Sequence, residues 1–308
     1  MTVKLSIGIP TYNGAKSIKE TLESILKQLD TINESIEILI SDNASTDNTK
    51  DIIQEYINKY PKIFSYYKNE ENIGYDRNVD NIFKKAKGEY VWLLGDDDVY
   101  YEGSLNYLFN ILNGNNIDIV LSNFDFYDYE MKNLTHRMTL NYGQDLKCKN
   151  HNEFIIKSES RYSSLSSLII KKDIWNSFDV SKGFGSLYIH KYVLLNILPK
   201  CSSYIITKPL VKVRHGLKRY YKCGDDKILI LIKCIEITKS LNKRLYDKKV
   251  YKNLLSFQRK HLFAAIEEII KQAPINKKRI IIELFKYNYD YLPFYQHLYK
   301  LILMPNPN

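Results

Sequence analysis

The sequence predicts an α/β fold in which helices flank a mostly parallel central sheet, with a helical extension after it. Over the first hundred residues, short apolar runs alternate with amphipathic helical patterns. These runs are almost continuously apolar, as expected for strands that are covered on both faces. From Asp225 onward, Leu and Ile recur at helical spacing among many lysines, which predicts helices.

Length and composition are those of an ordinary globular protein. The chain has 308 residues, 44% hydrophobic and 26% charged, enough for one large domain or one domain with an appendage. We expect no secretory signal, because the apolar run near Met1 is short and is broken by Pro10. We also expect no membrane-spanning helix, because no apolar run reaches about 18 residues. The four cysteines are widely spaced without a Cys-x-x-Cys, which argues against a zinc site or disulfides and predicts a cytoplasmic setting.

The first strand and helix are predicted from the N-terminal stretch. The strand should cover residues 4–10 and end at Pro10. Ser17 and Glu20 have the spacing of a capping box, which places the helix start there. The apolar face of this helix consists of Ile18, Leu22, Ile25, Leu26 and Leu29.

The next strands follow at similar intervals. Residues 36–40 form the second apolar run, and Asp47 or Thr49 is expected to cap the helix after it. Residues 63–67 predict a third strand, and Gly88 is expected to end the helix that follows it.

The fourth strand, "YVWLL", ends at three aspartates. Beyond it the pattern is mixed: "IDIVLS" and "LSSLII" predict strands, and "YIHKYVLLNIL" predicts a helix. Polar clusters follow the first, second and fourth strands, in "PTYNG", "SDNASTDNT" and "GDDD". Because ligands of such sheets bind at the carboxyl ends of the strands, we expect the three clusters to converge.

Asp96, Asp97 and Asp98 form the most informative cluster. Adjacent carboxylates raise one another's pKa unless a cation lies among them. Mg²⁺ and Mn²⁺ prefer carboxylate oxygens and often bridge the phosphates of a substrate. The alternative is a solvated acidic turn, but the position at the ligand edge of the sheet favours a metal site.

Three other residues at this edge have both a functional and a structural interpretation. Asp42 directly follows the second strand and could accept hydrogen bonds from a base or ribose. Tyr12 could stack on a base or simply pack. Arg77 lies at a helix start, where its charge opposes the helix dipole, so it could bind a diphosphate or pair with a carboxylate.

Three stretches together resemble a known family. They are "IGIPTYNGAKSIKETLESILKQ", "EILISDNASTDNT" and "NIGYDRNVDNIFKKAKGEYVWLLGDDDVY". Their order and spacing resemble the nucleotide-sugar-binding half of inverting glycosyltransferases with the Rossmann-like GT-A fold, and most closely family two, which builds bacterial surface polysaccharides. "GDDD" and "GYDRN" are similar to its abequosyltransferase-like branch. The resemblance is specific over residues 3–125, weaker to about 220 and absent from the tail.

The resemblance implies roles for matching residues. Tyr12 and Asp42 would contact the nucleotide base, Thr11 the nucleoside and Arg77 the diphosphate. Asp98, most directly, and Asp96 would hold Mn²⁺ or Mg²⁺. The other implied donor-binding residues are Pro10, Asn13, Asn72, Gly74 and Asp97. Gly95 stands where family members often carry an acid, so which two aspartates bind the metal stays open.

The general base is less clearly marked. Family members often supply it from a Glu-Asp pair that opens a later helix. In "GFGSLYIHKYVLLNIL" this pair is missing and His190 stands at the place of the Asp. An imidazole is a chemically suitable base. If His190 only lines the helix, another acid such as Asp179 is the base, or activity has been lost.

Basic charge is concentrated near the end of the chain. In "VKVRHGLKRYY", Arg214 and His215, rather than Arg219, match a family loop that closes over the diphosphate; the alternative is a solvated loop.

From Asp225 to Asn308 there are 16 Lys and Arg against 8 Asp and Glu. No zinc-finger, helix-turn-helix or RNA-binding pattern is present, so nucleic acid is not an expected partner. The tail is either a helical cap with a solvated face or a surface for an anionic membrane.

These observations predict a metal-dependent, inverting glycosyltransferase. A GT-A domain would cover residues 1–222, with the nucleotide sugar bound by 1–125 and the acceptor side formed by 126–222, and a basic helical region would cover 223–308. The donor would be a UDP- or CDP-linked sugar. The acceptor would be a hydroxyl of a glycan or lipid-linked saccharide in surface polysaccharide synthesis, at the inner face of the cell membrane.

Two other functions stay open. A nucleotidyltransferase that makes nucleotide sugars would usually carry a glycine-rich phosphate loop, which "IPTYNGAKS" lacks. A non-catalytic nucleotide-sugar-binding protein would explain the missing Glu-Asp pair, but the intact acidic triplet argues against it.

Overall fold

A computed structural model of the chain describes residues 2–215, 224–272, 276–288 and 290–303. The strands within these ranges are β1 (Leu5–Thr11), β2 (Ile36–Asp42), β3 (Phe64–Lys68), β4 (Tyr90–Leu93), β5 (Val99–Tyr100), β6 (Ile119–Tyr127), β7 (Leu134–His136), β8 (Leu146–Cys148), β9 (Leu168–Lys171) and β10 (Ser203–Arg214). The α-helices are α1 (Ile18–Leu26), α2 (Thr49–Lys59), α3 (Tyr75–Lys85), α4 (Ser104–Gly114), α5 (His151–Lys157), α6 (Lys172–Asn176), α7 (Ile189–Ile197), α8 (Gly224–Ser240), α9 (Lys248–Gln272), α10 (Lys277–Asn288) and α11 (Leu292–Leu303).

The strands form one sheet in the order β3-β2-β1-β4-β9-β6-β10-β5, with β7 paired to β6 and β8 to β10. The pairs β1–β2, β1–β4 and β2–β3 are parallel, and so is the pair β6–β10. Strands β9, β5, β7 and β8 pair antiparallel. The predicted α/β fold with a mostly parallel central sheet is confirmed. Apart from β5, the antiparallel strands come from the region whose sequence pattern is mixed.

The register of the parallel strands aligns their carboxyl ends. Thr11 at the end of β1 is the partner of Asp42 at the end of β2. On the other side of β1, Gly8 is the partner of Leu93, the last residue of β4. The polar residues that follow these strands therefore emerge at one edge of the sheet, as predicted.

The centre of the sheet is covered on both faces. Every residue of β1 is buried, which explains its continuous apolar sequence. Gly8 lets α3 approach closely, because a Cβ at this position would lie 2.3 Å from Cγ2 of Ile82. Behind α3, the Trp175 ring stacks on Phe83 with 3.8 Å between ring centroids. The core thus fixes α3 against the strands that carry the polar edge.

Two predicted helix signals differ from the structure. Ser17 occupies the N-cap position of α1, but its side chain makes no capping hydrogen bond, and Glu20 pairs with Arg214. Helix α3 ends at Lys85, before Gly88. Gly88 instead allows the chain to pass close to β1, because a Cβ there would lie 2.5 Å from the backbone nitrogen of Ser6.

The start of α2 agrees better with the sequence. The helix begins at Thr49, whose backbone N–H donates to Oδ1 of Asp47 at 3.1 Å.

The chain divides into two compact units. The first consists of Met1–Gly185 and Ile189–Leu217, and the second of Ser186–Tyr188 and Lys218–Asn308. In the second unit, α8 packs against α9 and α10. The division at residue 222 stays a prediction. Among the described helices, none combines the length and apolarity needed to span a bilayer.

Candidate functional site

The acidic triplet forms a tight turn between β4 and β5. The backbone N–H of Asp98 donates to the carbonyl of Gly95 at 3.1 Å. Asp96 and Asp98 are buried, and Asp97 is half-buried. A Cβ at Gly95 would lie 3.0 Å from a carboxylate oxygen of Asp97 and of Asp98, so the glycine leaves room for the carboxylates to fold back over the turn.

Asp96 is fixed by the end of the first strand. The hydroxyl of Thr11 donates a hydrogen bond to Oδ2 of Asp96. Gly14 makes this contact possible, since a Cβ there would come within 2.4 Å of the same carboxylate oxygen and 2.5 Å of Oγ1 of Thr11. Two of the predicted polar clusters therefore meet, and the requirement for Gly14 within "PTYNG" is a feature that the sequence alone did not show.

Asp98 is held from two distant parts of the chain. Its Oδ1 accepts the backbone N–H of Arg214 at 3.0 Å, and its Oδ2 accepts the hydroxyl of Ser166. Ser166 is fully buried, and its oxygen also accepts the N–H of Gly95 at 2.9 Å. Its carbonyl accepts Nε1 of Trp92 at 2.9 Å. Ser166 is the site residue that the sequence prediction missed.

Burial dominates the electrostatics of Asp98. Burial, and then the charge of Asp97, raise the pKa of Asp98 to about 8, although the hydrogen bonds from Ser166 and Arg214 act in the opposite direction. A buried carboxylate with a raised pKa favours either a proton or a cation as its partner.

The donor set fits a metal that is shared with a substrate. Within the described ranges, no group of three or more His, Cys, Asp or Glu side chains is arranged to hold a metal ion. Mg²⁺ is commonly bound by only one or two carboxylates together with substrate phosphates. The buried carboxylates of Asp96 and Asp98 supply that number of ligands.

Arg214 brings a positive charge to the acidic turn. Its Nε donates to the carbonyl of Asp97 at 2.9 Å, and its other guanidinium nitrogens donate to Glu20 and to the carbonyl of Tyr129. Only 6% of the side chain is exposed. The structure thus places one of the two predicted residues of the basic loop beside the triplet.

The other residues of this loop that the sequence analysis considered are His215 and Arg219. His215 is exposed, and its N–H donates to the carbonyl of Tyr127 at 2.8 Å. Its ring lies 5.8 Å from that of Phe126, centroid to centroid. Arg219 lies outside the described residues.

Asp42 is buried in a hydrogen-bonded cluster. Its Oδ1 accepts the N–H of Ser45 at 2.8 Å and its Oδ2 accepts the hydroxyl of Tyr66 at 2.7 Å. No part of Asp42 is exposed. A contact with a nucleotide base would require one of these bonds to rearrange, so that role stays a prediction.

The loops after β1 and β2 are joined beside Asp42. Asn13 adopts a left-handed backbone with φ 54°, and its N–H donates to Oγ of Ser45 at 2.9 Å. Its Oδ1 accepts the N–H of Thr46 at 2.8 Å. Pro10, buried in β1, pairs in register with Ser41. Tyr12, directly after β1, is 42% exposed.

A third loop is tied to the same edge. Oδ1 of Asn72 accepts Nδ2 of Asn43 at 2.8 Å and the N–H of Gly74 at 3.0 Å. Gly74 has φ 84°, a backbone conformation that favours glycine, and precedes the first turn of α3. Arg77 in that turn is exposed, with its guanidinium 4.3 Å from the centroid of the Phe184 ring. In the part of the chain that the structure describes, no carboxylate forms a salt bridge with Arg77.

His190 lies in the first turn of α7 and is 2% exposed. Its Nε2 is 3.2 Å from the carbonyl of Ser163, just before Ser166 in the chain. Burial lowers the pKa of His190 to about 4, so the imidazole is neutral at pH 7. The alternative base, Asp179, lies in an exposed turn and accepts the N–H of Ser181 at 3.0 Å. The role of each as a base stays a prediction.

Known sequences resemble this chain over much of its length. The family described as "Glycosyl transferase family 2" matches residues 6–175, more than half of the chain. Abequosyltransferase RfbV of Salmonella typhimurium is 32% identical over 278 residues, which covers 85% of this chain and 83% of that protein. Glycosyltransferase GlyG of Streptococcus pneumoniae is 30% identical over 146 residues, 47% of this chain and 46% of its own.

Solved structures share the fold. S. aureus TarS 1-349 in complex with UDP superimposes with a TM-score of 0.70 at 16% identity, covering 96% of this chain and 83% of that one. The mannosyltransferase PcManGT from Pyrobaculum calidifontis, in complex with GDP-Man and Mn²⁺, has a TM-score of 0.57 at 16% identity, covering 98% and 85%. At this identity the likeness concerns the fold alone, and it confirms the predicted architecture.

Proposed function

Because the chain belongs to glycosyl transferase family 2 and is a glycosyltransferase, we propose that it is a metal-dependent, inverting enzyme of surface polysaccharide synthesis. It would transfer a sugar from a nucleotide-sugar donor to a hydroxyl of a glycan or lipid-linked acceptor. The observation that carries this proposal is the meeting of Thr11, the acidic triplet, Ser166 and Arg214 at one edge of the sheet. The name of the Salmonella relative, an abequosyltransferase, supports the polysaccharide setting.

The nucleotide would bind along the ends of β1 and β2. The exposed ring of Tyr12 offers a stacking face, while Asn13 and Asp42 hold the two loops in place beside it. A UDP- or CDP-linked donor is our proposal. Of the two similar structures, TarS 1-349 contains UDP and PcManGT contains GDP-Man, so the shared fold accepts more than one base.

The diphosphate would lie over the acidic turn. Asp98 and Asp96 would hold Mn²⁺ or Mg²⁺, which when bound neutralises the departing nucleoside diphosphate. Arg214 adds a fixed positive charge beside Asp97, and the exposed Arg77 can reach a phosphate oxygen from the start of α3.

The transfer also requires a base. The bond from the sugar to the diphosphate breaks while the acceptor oxygen bonds to the same carbon, and the hydroxyl proton passes to the base. We propose His190 for this role and keep Asp179 as the alternative. His190 is buried beside Ser163 and neutral at pH 7, so its imidazole can accept a proton.

Nucleotide-sugar turnover tests the proposal. We expect UDP- or CDP-sugar hydrolysis that requires Mn²⁺ and accelerates with acceptor. Asp98→Asn should abolish it together with metal-dependent binding of the nucleoside diphosphate in calorimetry, while Asp30→Asn, which alters an exposed acid, should not.

Other results would exclude this function. Formation of a nucleotide sugar from a sugar phosphate and a nucleoside triphosphate would indicate a nucleotidyltransferase. Donor binding without turnover under any acceptor would indicate a binding protein. Unchanged affinity and metal dependence in Asp98→Asn would remove Asp98 from the metal site.

A further inference from the structure

The second unit contains a basic cleft of its own. The cleft has a volume of about 830 Å³ and is formed by α8, α9, the turn between them and the turn before α11. Within the described part of the second unit, the basic residues that line it are Lys239, Lys243, Lys248, Lys252 and Arg259, and the one acid is Asp290. A concave surface with this excess of one charge concentrates ligands of the opposite charge.

The one acid is already shared by two of the cations. Oδ1 of Asp290 accepts Nζ of Lys239 at 3.1 Å and Nη2 of Arg259. Burial opposes ionisation, but these two partners hold the pKa of Asp290 below its usual value. Among the described residues, no second acid lines the cleft to balance the exposed lysines, which are Lys243, Lys248 and Lys252.

The inner wall of the cleft is a fixed cation. Arg259 is 5% exposed, and its Nε donates to Oδ1 of Asn288 at 3.2 Å. Its Nη2 donates to the carbonyl of Tyr287 at 3.0 Å, and its guanidinium lies 4.8 Å from the centroid of the Tyr291 ring. A buried guanidinium held in this way presents its charge without having to be ordered by a ligand.

Tyr251 supplies a hydrogen-bonding group and an apolar surface. It lines the cleft and is 9% exposed, and its buried hydroxyl has no hydrogen-bond partner among the described residues. A buried hydroxyl without a partner is costly, so an acceptor oxygen on a ligand would be favourable here. Leu255 and the Tyr251 and Tyr291 rings form an apolar wall beside the lysines.

We propose that this cleft binds the phosphate or diphosphate by which the saccharide acceptor is attached to its lipid carrier. Phosphate oxygens would accept from the lysines and Tyr251, and the apolar wall would contact the first part of the lipid chain. The volume is several times that of a phosphate, as an amphipathic ligand requires. Naming the acceptor rests on the proposed function, whereas anion binding by the cleft does not.

Two charge-matched double variants test the cleft. Lys248→Glu with Lys252→Glu reverses two lining lysines of α9, and Lys249→Glu with Lys260→Glu reverses two exposed lysines of the same helix that do not line it. Farnesyl diphosphate and pyrophosphate are titrated into the full chain by calorimetry, with EDTA to suppress metal-dependent binding at the donor site. We expect wild type and the second pair to agree within about twofold and the first pair to bind at least about tenfold more weakly.

Several results would overturn the inference. Equal weakening in both pairs would mean that net charge alone acts, and no binding to wild type would remove the site. The protein should co-sediment with phosphatidylcholine vesicles that carry farnesyl diphosphate. Equal sedimentation with phosphatidylglycerol vesicles would indicate a general headgroup site. Pyrophosphate binding as tight as that of farnesyl diphosphate would indicate a soluble phosphate. Either result would exclude the lipid carrier.

Donor hydrolysis is measured in parallel on all variants. Unchanged hydrolysis with lost diphosphate binding in the first pair supports the cleft. If wild type hydrolyses no donor but the cleft still binds diphosphate, the proposed function fails while the anion site stands.

Discussion

Ser166 donates its hydroxyl hydrogen to Oδ2 of Asp98 from 68 positions away in the sequence. The same oxygen accepts the N–H of Gly95, at the start of the acidic turn. One buried hydroxyl therefore fixes both a carboxylate and the backbone that carries it.

Ser166→Ala should weaken the apparent affinity for Mn²⁺ without blocking the chemical step. Loss of a hydrogen bond to a charged group costs about 1.5–3 kcal/mol, so the Mn²⁺ concentration for half-maximal donor hydrolysis should rise about tenfold or more. The rate at saturating Mn²⁺ should change little. Ser167→Ala is the control, because Ser167 is equally buried but donates to the carbonyls of Arg161 and Ser164. Identical Mn²⁺ requirements in the two variants would disprove the positioning role.

Metal affinity should depend on pH through Asp98. The raised pKa of about 8 means that the metal-free carboxyl is mainly protonated below that pH, and a metal must displace the proton. Apparent Mn²⁺ affinity should therefore fall about tenfold for each unit below pH 8 and level off above it. Calorimetry with a nucleoside diphosphate, in buffers of different ionisation enthalpy, would also detect the released proton. A flat affinity across this range would contradict the assignment.

His190→Ala tests the proposed base. General-base catalysis is worth about 10²–10⁴-fold, so turnover should fall by at least about a hundredfold. Donor affinity should stay within about threefold, because the proposed role of His190 concerns the acceptor hydroxyl and not the donor. Asp179→Asn is measured beside it. A large loss in Asp179→Asn with near-normal turnover in His190→Ala would transfer the role to Asp179.

The burial of His190 also predicts how stability changes in acid. Its pKa is about 4 in the folded protein, below the usual value near 6.5, so the unfolded chain binds more protons between these values. Stability should therefore fall by about 2 kcal/mol between pH 7.5 and pH 5 through this residue. Urea unfolding of His190→Gln should show a smaller loss, while His136→Gln, at an exposed position, should behave as wild type. Equal acid sensitivity in all three would show that His190 titrates normally.

Arg214→Met tests whether the charge of Arg214 itself, rather than its ion pair with Glu20, supports binding of the nucleoside diphosphate. Because the guanidinium lies beside Asp97, its removal should weaken nucleoside diphosphate binding about tenfold or more in the presence of Mn²⁺. Glu20→Gln removes the ion-pair partner but keeps the arginine, and binding should then change little. If both variants lose the same affinity, Arg214 acts only through its pair with Glu20.

The edge of the sheet was predictable from local patterns. Four apolar runs, each followed by polar residues, are enough to place parallel strands and to bring their carboxyl ends to one side. The register that pairs Thr11 with Asp42, and the contact of Thr11 with Asp96, follow from that geometry. The position of Arg214 came from the resemblance to a family rather than from any local pattern.

Other contacts between distant segments were not predictable. Ser166 stands in a serine-rich stretch before β9, with no local feature that connects it to Asp98. The capping box predicted the helix start at Ser17 correctly but not the side-chain bonds, since Ser17 makes no capping hydrogen bond and Glu20 pairs with Arg214. Gly14 and Gly88 are required by close approaches of segments that only the folded structure brings together.

Asp98 accepts hydrogen bonds from positions 166 and 214, and this has a consequence for biosynthesis. During synthesis, all three aspartates leave the ribosome long before β10 does. Until then, the acidic turn lacks the backbone N–H of Arg214 as a hydrogen-bond donor. Competence to capture an ion would then arise only when nearly the whole first unit has been translated. A fragment cut at residue 175 contains the whole region that the family model matches, but it would lack the backbone donor of Arg214.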